Sequence, residues 1–115
     1  MPVSFSKIEE ERKNCQSIRF SVKNGDNREI GRAYLYIIVN DLHSNPFGLL
    51  EDVFIDESMR GRGIGTKLIE HVIRKAKETE CYKLVATSRY SRPKVHRLYE
   101  KLGFDDYGKE FRMNL

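Results

Sequence analysis

Residues 60–67 read R-G-R-G-I-G-T-K, three glycines and three cations in eight positions. An acidic stretch, L-L-E-D-V-F-I-D-E at 49–57, stands directly before them. After Gly63 the apolar residues Ile64, Leu68, Ile69, Val72, Ile73 and Ala76 recur on one helical face, with Lys67, Glu70, Arg74, Lys75 and Glu78 on the other. The stretch is therefore a strand-loop-helix junction, and its glycines bring backbone close to a ligand.

Working outward, 17–23 (S-I-R-F-S-V-K) alternates with period two and predicts a strand with one solvated face. N-G-D-N at 24–27 signals a turn, with Gly25 free to take positive φ, and 29–40 predicts the second arm of a hairpin. A loop is expected over 41–48, a central strand over 49–55, a helix over 62–79 and a strand over 83–88. A second helix follows from about Pro93 to Leu102, with Gly103 as its stop. Residues 104–115 predict a closing hairpin around Gly108, giving the order β-β-β-α-β-α-β-β with a right-handed crossover over 49–88. The first 15 residues leave two readings open: V-S-F-S as an edge strand, or K-I-E-E-E-R-K as a helical turn.

Size and composition bound the rest. At 115 residues the chain is expected to be one domain, 1–115, with 39% apolar and 33% charged residues. The most apolar run, Ala33 to Val39, is far too short to span a bilayer. The amino-terminal stretch lacks the pattern of a signal peptide, so a cytoplasmic location is expected. Cys15 and Cys81 form no C-x-x-C and have no histidine at ligand spacing; two reduced thiols and no metal are expected. Net charge is +4, which suits nucleic acid or an anionic cofactor alike. Its distribution separates them, because an acidic strand beside a basic loop serves a nucleic-acid binder poorly.

Two phosphate loops fail against the letters. The nucleotide P-loop needs Gly-Lys followed by Ser or Thr, but here Gly65-Thr66-Lys67 displaces the lysine. The dinucleotide fingerprint needs G-x-G-x-x-G, whereas Gly61, Gly63 and Gly65 give G-x-G-x-G. The letters do match [R/Q]-x-x-G-x-G, with Arg60, Gly63 and Gly65 in the defining places. Together with L-E-D-V-F-I upstream and H-R-L-Y-E-K-L-G-F at 96–104, the loop resembles that of the GNAT superfamily of acetyl-CoA-dependent N-acetyltransferases. Locally, L-E-D-V-F-I is most similar to the spermidine/spermine type.

The resemblance implies an α/β fold: a mixed, mostly antiparallel sheet with a splayed central strand pair, flanked by helices. The backbone of Val53, Phe54 and Ile55 would bind the pantetheine arm of acetyl-CoA. Arg60, Gly61, Arg62, Gly63, Ile64, Gly65 and Thr66 would wrap the pyrophosphate. Tyr99 would be the acid for the departing thiolate, since a phenol stays protonated at neutral pH. Glu51 would be the base that frees an alkylamine for attack, and Asp52 would hold a cationic acceptor. A regular strand aims only one of these two carboxylates at the acceptor unless a bulge intervenes. His96 shares a helix face with Tyr99; packing is its simplest use, with contact to cofactor or substrate, or a local cap, as the alternatives. Where relatives carry asparagine near the start of this helix the chain has Arg92, leaving Ser91 as the expected N-cap. The region before the first strand is shortened relative to the family, so the acceptor side is expected to be either open, suiting a peptide or protein amine, or completed by a second copy in a homodimer, suiting a small-molecule amine. No membrane or nucleic-acid partner is expected. Two rivals remain: a CoA-binding regulatory domain without catalysis, and a small basic nucleic-acid binder.

Overall fold

The computed structural model describes residues 3, 4 and 9–115. Its elements are β1 (Gln16–Lys23), β2 (Glu29–Ile38), β3 (Phe47–Ile55), a 3-10 turn (Glu57–Met59), α1 (Ile64–Glu78), β4 (Leu84–Ala86) and α2 (Pro93–Lys101). They form one α/β unit around a four-stranded sheet in the order β1-β2-β3-β4. Strands β1, β2 and β3 pair antiparallel, and β4 lies parallel to β3, as a strand-helix-strand crossover requires.

The core follows from alternation. In β2, Ala33, Leu35 and Ile37 are buried on one face, while Arg32, Tyr34 and Tyr36 between them stay half-exposed on the other. Leu50 joins the buried set, and α1 lays Leu68, Ile69, Val72 and Ala76 over it. Ile18, Phe20 and Val22 of β1 pack against the same cluster. Each fully buried leucine, isoleucine or valine there contributes about 1.5–3 kcal/mol relative to exposure. The sheet thus has one face sealed by α1 and one face carrying polar and aromatic groups.

Several boundaries differ from expectation. The hairpin turn takes its positive φ at Asn27 (62°) and not at Gly25; the Asn24 side chain accepts from the amides of Asp26 and Arg28 and fixes the bend. Strand β3 starts at Phe47, because the Gly48 amide donates to the Lys83 carbonyl at 2.9 Å. A Cβ on Gly48 would stand 2.9 Å from the Leu84 side chain and 3.0 Å from that of Leu35, so only glycine lets the sheet close there. Helix α1 starts at Ile64, two residues late, because Gly61 and Gly63 hold left-handed φ of 80° and 74°. The N-cap of α2 is Arg92, without a side-chain cap; Ser91 does not serve.

The largest correction is at 104–115. No strand forms among these residues, and 105–115 are exposed throughout. A hairpin needs a sheet edge to dock on as well as a turn, and this segment lies against none. The two readings of residues 3–13 rest on positions 5–8, which lie outside the described residues.

Candidate active site

Strand β3 has two halves. Its first half is held on both sides, by β2 and through Gly48↔Leu84, Leu49↔Val85 and Leu50↔Ala86 by β4. Past Leu50 the β4 ladder stops while the β2 ladder continues to Gly31↔Ile55. Val53, Phe54 and Ile55 therefore keep a sheet edge on the β4 side that no strand among the described residues occupies. A splayed pair of this kind frees main-chain donors and acceptors for an extended ligand.

A bulge sits at the point of divergence. Tyr34 pairs with Glu51 and Arg32 with Phe54, so Asp52 and Val53 together face Ala33. Asp52 takes the left-handed conformation, φ 51°, which aspartate tolerates better than most side chains. The extra residue reverses the parity of the strand: Leu50 points into the core before it, Val53 and Ile55 after it. Glu51, across from Tyr34, and Asp52, bonded to Arg32, consequently share the face away from α1. The bulge presents both carboxylates to one side.

Their environments differ. Arg32 donates to both Asp52 oxygens, at 2.9 and 3.3 Å, and its guanidinium lies 4.8 Å from the Phe54 ring centre. This bonding holds the Asp52 carboxyl below its ordinary value. Glu51 is half-buried and makes no hydrogen bond or ion pair among the described residues. Burial pushes the Tyr99 phenol above its ordinary value, and the negative charge of Glu51 pushes the same way. Tyr99 packs against Phe104 with ring centres 5.3 Å apart.

The loop after β3 is locked at both ends. Asp56 accepts from the Ser58 amide and hydroxyl and from Arg28, while Arg60 Nε donates to the Ile55 carbonyl at 3.1 Å. Gly63 then caps α1 without any side-chain hydrogen bond, leaving the first helical amides and the positive helix end uncovered. Ile55, Met59, Arg60, Gly61, Gly63, Ile64, Gly65, Thr66 and Leu98 line one cleft of about 250 Å³. Arg62 is exposed beside it. On the far side, His96 Nε2 donates to the Arg89 carbonyl at 2.8 Å and ties the loop after β4 to α2. Just beyond β4, the Ser88 hydroxyl is buried with no hydrogen-bond partner among the described residues.

Sequence reasoning missed the polar network on the open sheet face. Arg19 bonds Glu29 at 2.8 Å and the Tyr34 hydroxyl at 3.2 Å, and Ser21 bonds Glu29 at 2.7 Å. Tyr34 and Tyr36 stack with ring centres 6.0 Å apart. The polar positions of the two alternating strands carried this signal, but their pairing depends on register. Cys15 and Cys81 are both free thiols.

Comparison with known proteins bears on this geometry. The profile of the Acetyltransferase (GNAT) family matches residues 3–104. The chain is 38% identical over 68 residues to the glucosamine 6-phosphate N-acetyltransferase of Trypanosoma brucei brucei, covering 59% of this chain and 44% of that protein. It is 33% identical over 57 residues to glucosamine 6-phosphate N-acetyltransferase 1 of Oryza sativa subsp. japonica, covering 50% and 33%. The matched stretch thus spans less than half the length of these curated relatives. Among solved structures, an acetyltransferase of Trypanosoma brucei superposes with a TM-score of 0.78 at 29% identity, over 86% of this chain and 69% of that one. The fold also matches AAC(6')-Iy bound to the bisubstrate analogue CoA-S-monomethyl-acetylneamine, with a TM-score of 0.71 at 24% identity, over 86% and 69%. With the profile covering nearly all of the described chain, and a parted sheet and glycine loop where such a fold needs them, the protein belongs to the GNAT acetyltransferase family.

Proposed function

We propose that the chain is an acetyl-CoA-dependent N-acetyltransferase that passes an acetyl group to a primary amine within a ternary complex. One observation carries this reading: β3 loses β4 after Leu50↔Ala86, so that an open main-chain edge runs toward the uncapped start of α1. Both halves of coenzyme A find suitable groups along that line. An amide-bearing arm pairs with a strand edge, and a pyrophosphate suits glycine-loop amides at a helix start. The unpartnered Ser88 hydroxyl is a further polar group suited to a ligand beside β4.

In this reading the backbone of Val53, Phe54 and Ile55 holds the pantetheine arm. Residues Gly61–Thr66 wrap the pyrophosphate, with Arg60 and Arg62 supplying positive potential. Bound acetyl-CoA supplies an activated acetyl thioester. Glu51, without a cation partner among the described residues, accepts the proton that a protonated amine must lose before it attacks. Tyr99 gives a proton to the departing sulfur, and its raised pKa keeps that proton available across the neutral range. Asp52 has lone pairs left over by Arg32 with which to orient the acceptor. The acceptor lies on the sheet face away from α1. The names of the curated relatives make glucosamine 6-phosphate the first amine to try.

The test is release of free thiol from acetyl-CoA with a panel comprising glucosamine 6-phosphate, a polyamine and a lysyl peptide. Release with at least one amine is expected. CoA binding without release for any of them, or no CoA binding, overturns the enzymatic reading. No helix among the described residues is long and apolar enough to cross a membrane.

A further inference from the structure

Around the bulge, the sheet face away from α1 brings together Glu29, Glu51 and Asp52 with Arg19 and Arg32. Arg19 grips both oxygens of Glu29, at 2.6 and 2.8 Å, and the Ser21 hydroxyl adds a third bond to that carboxylate. Arg32 grips both oxygens of Asp52, at 2.9 and 3.3 Å. Two cations are thereby matched with two anions. Glu51 is the carboxylate left over, with no ion pair or hydrogen bond among the described residues. Glu51 and Asp52 are neighbours in sequence, yet they differ in what they can do. A carboxylate held by a fork of two N–H groups is a poor proton acceptor, and an unheld one beside it is a better one.

Arg32 also spans the bulge itself. Its register partner is Phe54, its guanidinium lies 4.8 Å from the Phe54 ring centre, and both of its bonds go to Asp52, two residues earlier. One side chain thus holds the positions on either side of Val53, which turns inward to the core. The hold matters because Asp52 sits at φ 51°, a conformation that is costly for a side chain unless its surroundings fix it.

We infer that Arg32 is a positioning residue for acetyl transfer: by occupying Asp52 and strapping the bulge, it leaves Glu51 as the carboxylate that takes the acceptor's proton. This rests on the acetyl-transfer reading and assigns the division of labour within it. The charged and titratable groups facing the two carboxylates are Arg32, Tyr34 and Glu29 from β2, Arg19 from β1 and Tyr99 from α2. The Glu29 carboxyl is lowered to about 2 and the Tyr99 phenol is pushed upward, so neither changes charge near neutrality. His96 of α2 is turned to the Arg89 carbonyl, and β4, with Leu84, Val85 and Ala86, brings no titratable side chain. If the charge of Arg32 is removed, Asp52 is left uncompensated and Glu51 keeps its proton to higher pH. If the charge of Asp52 is removed, Arg32 is left uncompensated and Glu51 sheds its proton at lower pH.

The test is kcat/KM against pH at saturating acetyl-CoA, with the fastest amine of the panel used throughout so that its own ionisation is common to every variant. Arg32→Gln is expected to move the acid limb up by about half a pH unit and Asp52→Asn to move it down by a similar amount, the size of one nearby unit charge in solvent-screened surroundings. Asparagine tolerates the left-handed conformation at 52 as aspartate does. The double variant, which lacks both charges, and Arg32→Lys, which keeps both, should each return the limb to its wild-type place. A merely structural role for Arg32 lowers the rate without moving the limb in opposite directions, and that result overturns the inference. So does loss of all transfer in Asp52→Asn, which would make Asp52 the base. Should Arg32→Gln fail to fold, Asp52→Asn decides alone: a downward shift supports the inference and an unmoved limb overturns it. Wild-type protein that releases no thiol with any amine is a separate failure, which removes the acetyl-transfer reading and this inference with it.

Discussion

The two ends of the sheet are packed by different means. Among the described residues, the nine buried apolar ones lie on β2, β3 and α1: Ile30, Ala33, Leu35, Ile37, Leu50, Leu68, Ile69, Val72 and Ala76. Strand β4, helix α2 and residues 105–115 contain none, and most of the exposed large apolar residues belong to this side, from Tyr82 and Tyr90 to Leu115. The β1–β3/α1 half carries the buried core. The β4/α2 half is held by three parallel pairs, by the His96–Arg89 bond and by partly covered side chains. The division matches the work proposed for each: the scaffold fixes the bulge and the carboxylates, and the loose half leaves room for a ligand to complete it. A sheet that closed fully on its own would have no place for one.

Tyr99→Phe gives the largest expected effect and asks whether the loosely packed half carries chemistry. It should lower acetyl transfer by about 10²–10⁴-fold, the usual contribution of a general acid, while thermal stabilisation by CoA stays within a degree or so of wild type. Leu35→Ala and Leu98→Ala compare the halves directly. Leu35 is fully buried, so its truncation should cost about 2–5 kcal/mol in denaturant unfolding. Leu98 lines the cleft, so its truncation should cost less than half as much without CoA and reduce stabilisation by CoA. Equal costs in the ligand-free protein break the comparison.

Gly63→Ala is next. A Cβ there meets no atom within 4 Å, but φ is 74°, so the cost is conformational alone, about 1–2 kcal/mol. Weaker CoA binding should accompany it, read by titration.

The smallest effect concerns acid. Hydrogen bonds from Arg19 and then Ser21 lower the Glu29 carboxyl from 4.5 to about 2. Because the folded value is the lower one, the contribution is complete above pH 4.5 and drains away as pH falls toward 2. Glu29 is solvent-screened, so Glu29→Gln should flatten the acid limb of melting temperature only slightly, and leave it unchanged near pH 7.

Much of this could be read from the letters because the signals are local. Alternation in 17–23, helical spacing after Gly63 and the Pro93–Gly103 bracket each identify an element without knowledge of its neighbours. The glycine loop was legible for the same reason, since positive φ at Gly61 and Gly63 is a property of those residues. What escaped depends on pairing. The bulge at Asp52 carries no glycine, and its one trace is that inward positions pass from 50 to 53 and 55. The Arg32–Asp52 and Arg19–Glu29 bonds require cross-strand register. The hairpin expected over 104–115 does not form, because a turn signal and apolar residues say nothing of which edge, if any, the segment meets.

The central claim is that main-chain groups of a parted strand and an uncapped helix grip coenzyme A. Amide hydrogen exchange with and without saturating CoA tests it most directly. The account predicts slowed exchange at Val53–Ile55 and at Gly61–Thr66, with the amides of β1 and β2 little changed. Unaltered exchange at both segments while CoA binds elsewhere contradicts it.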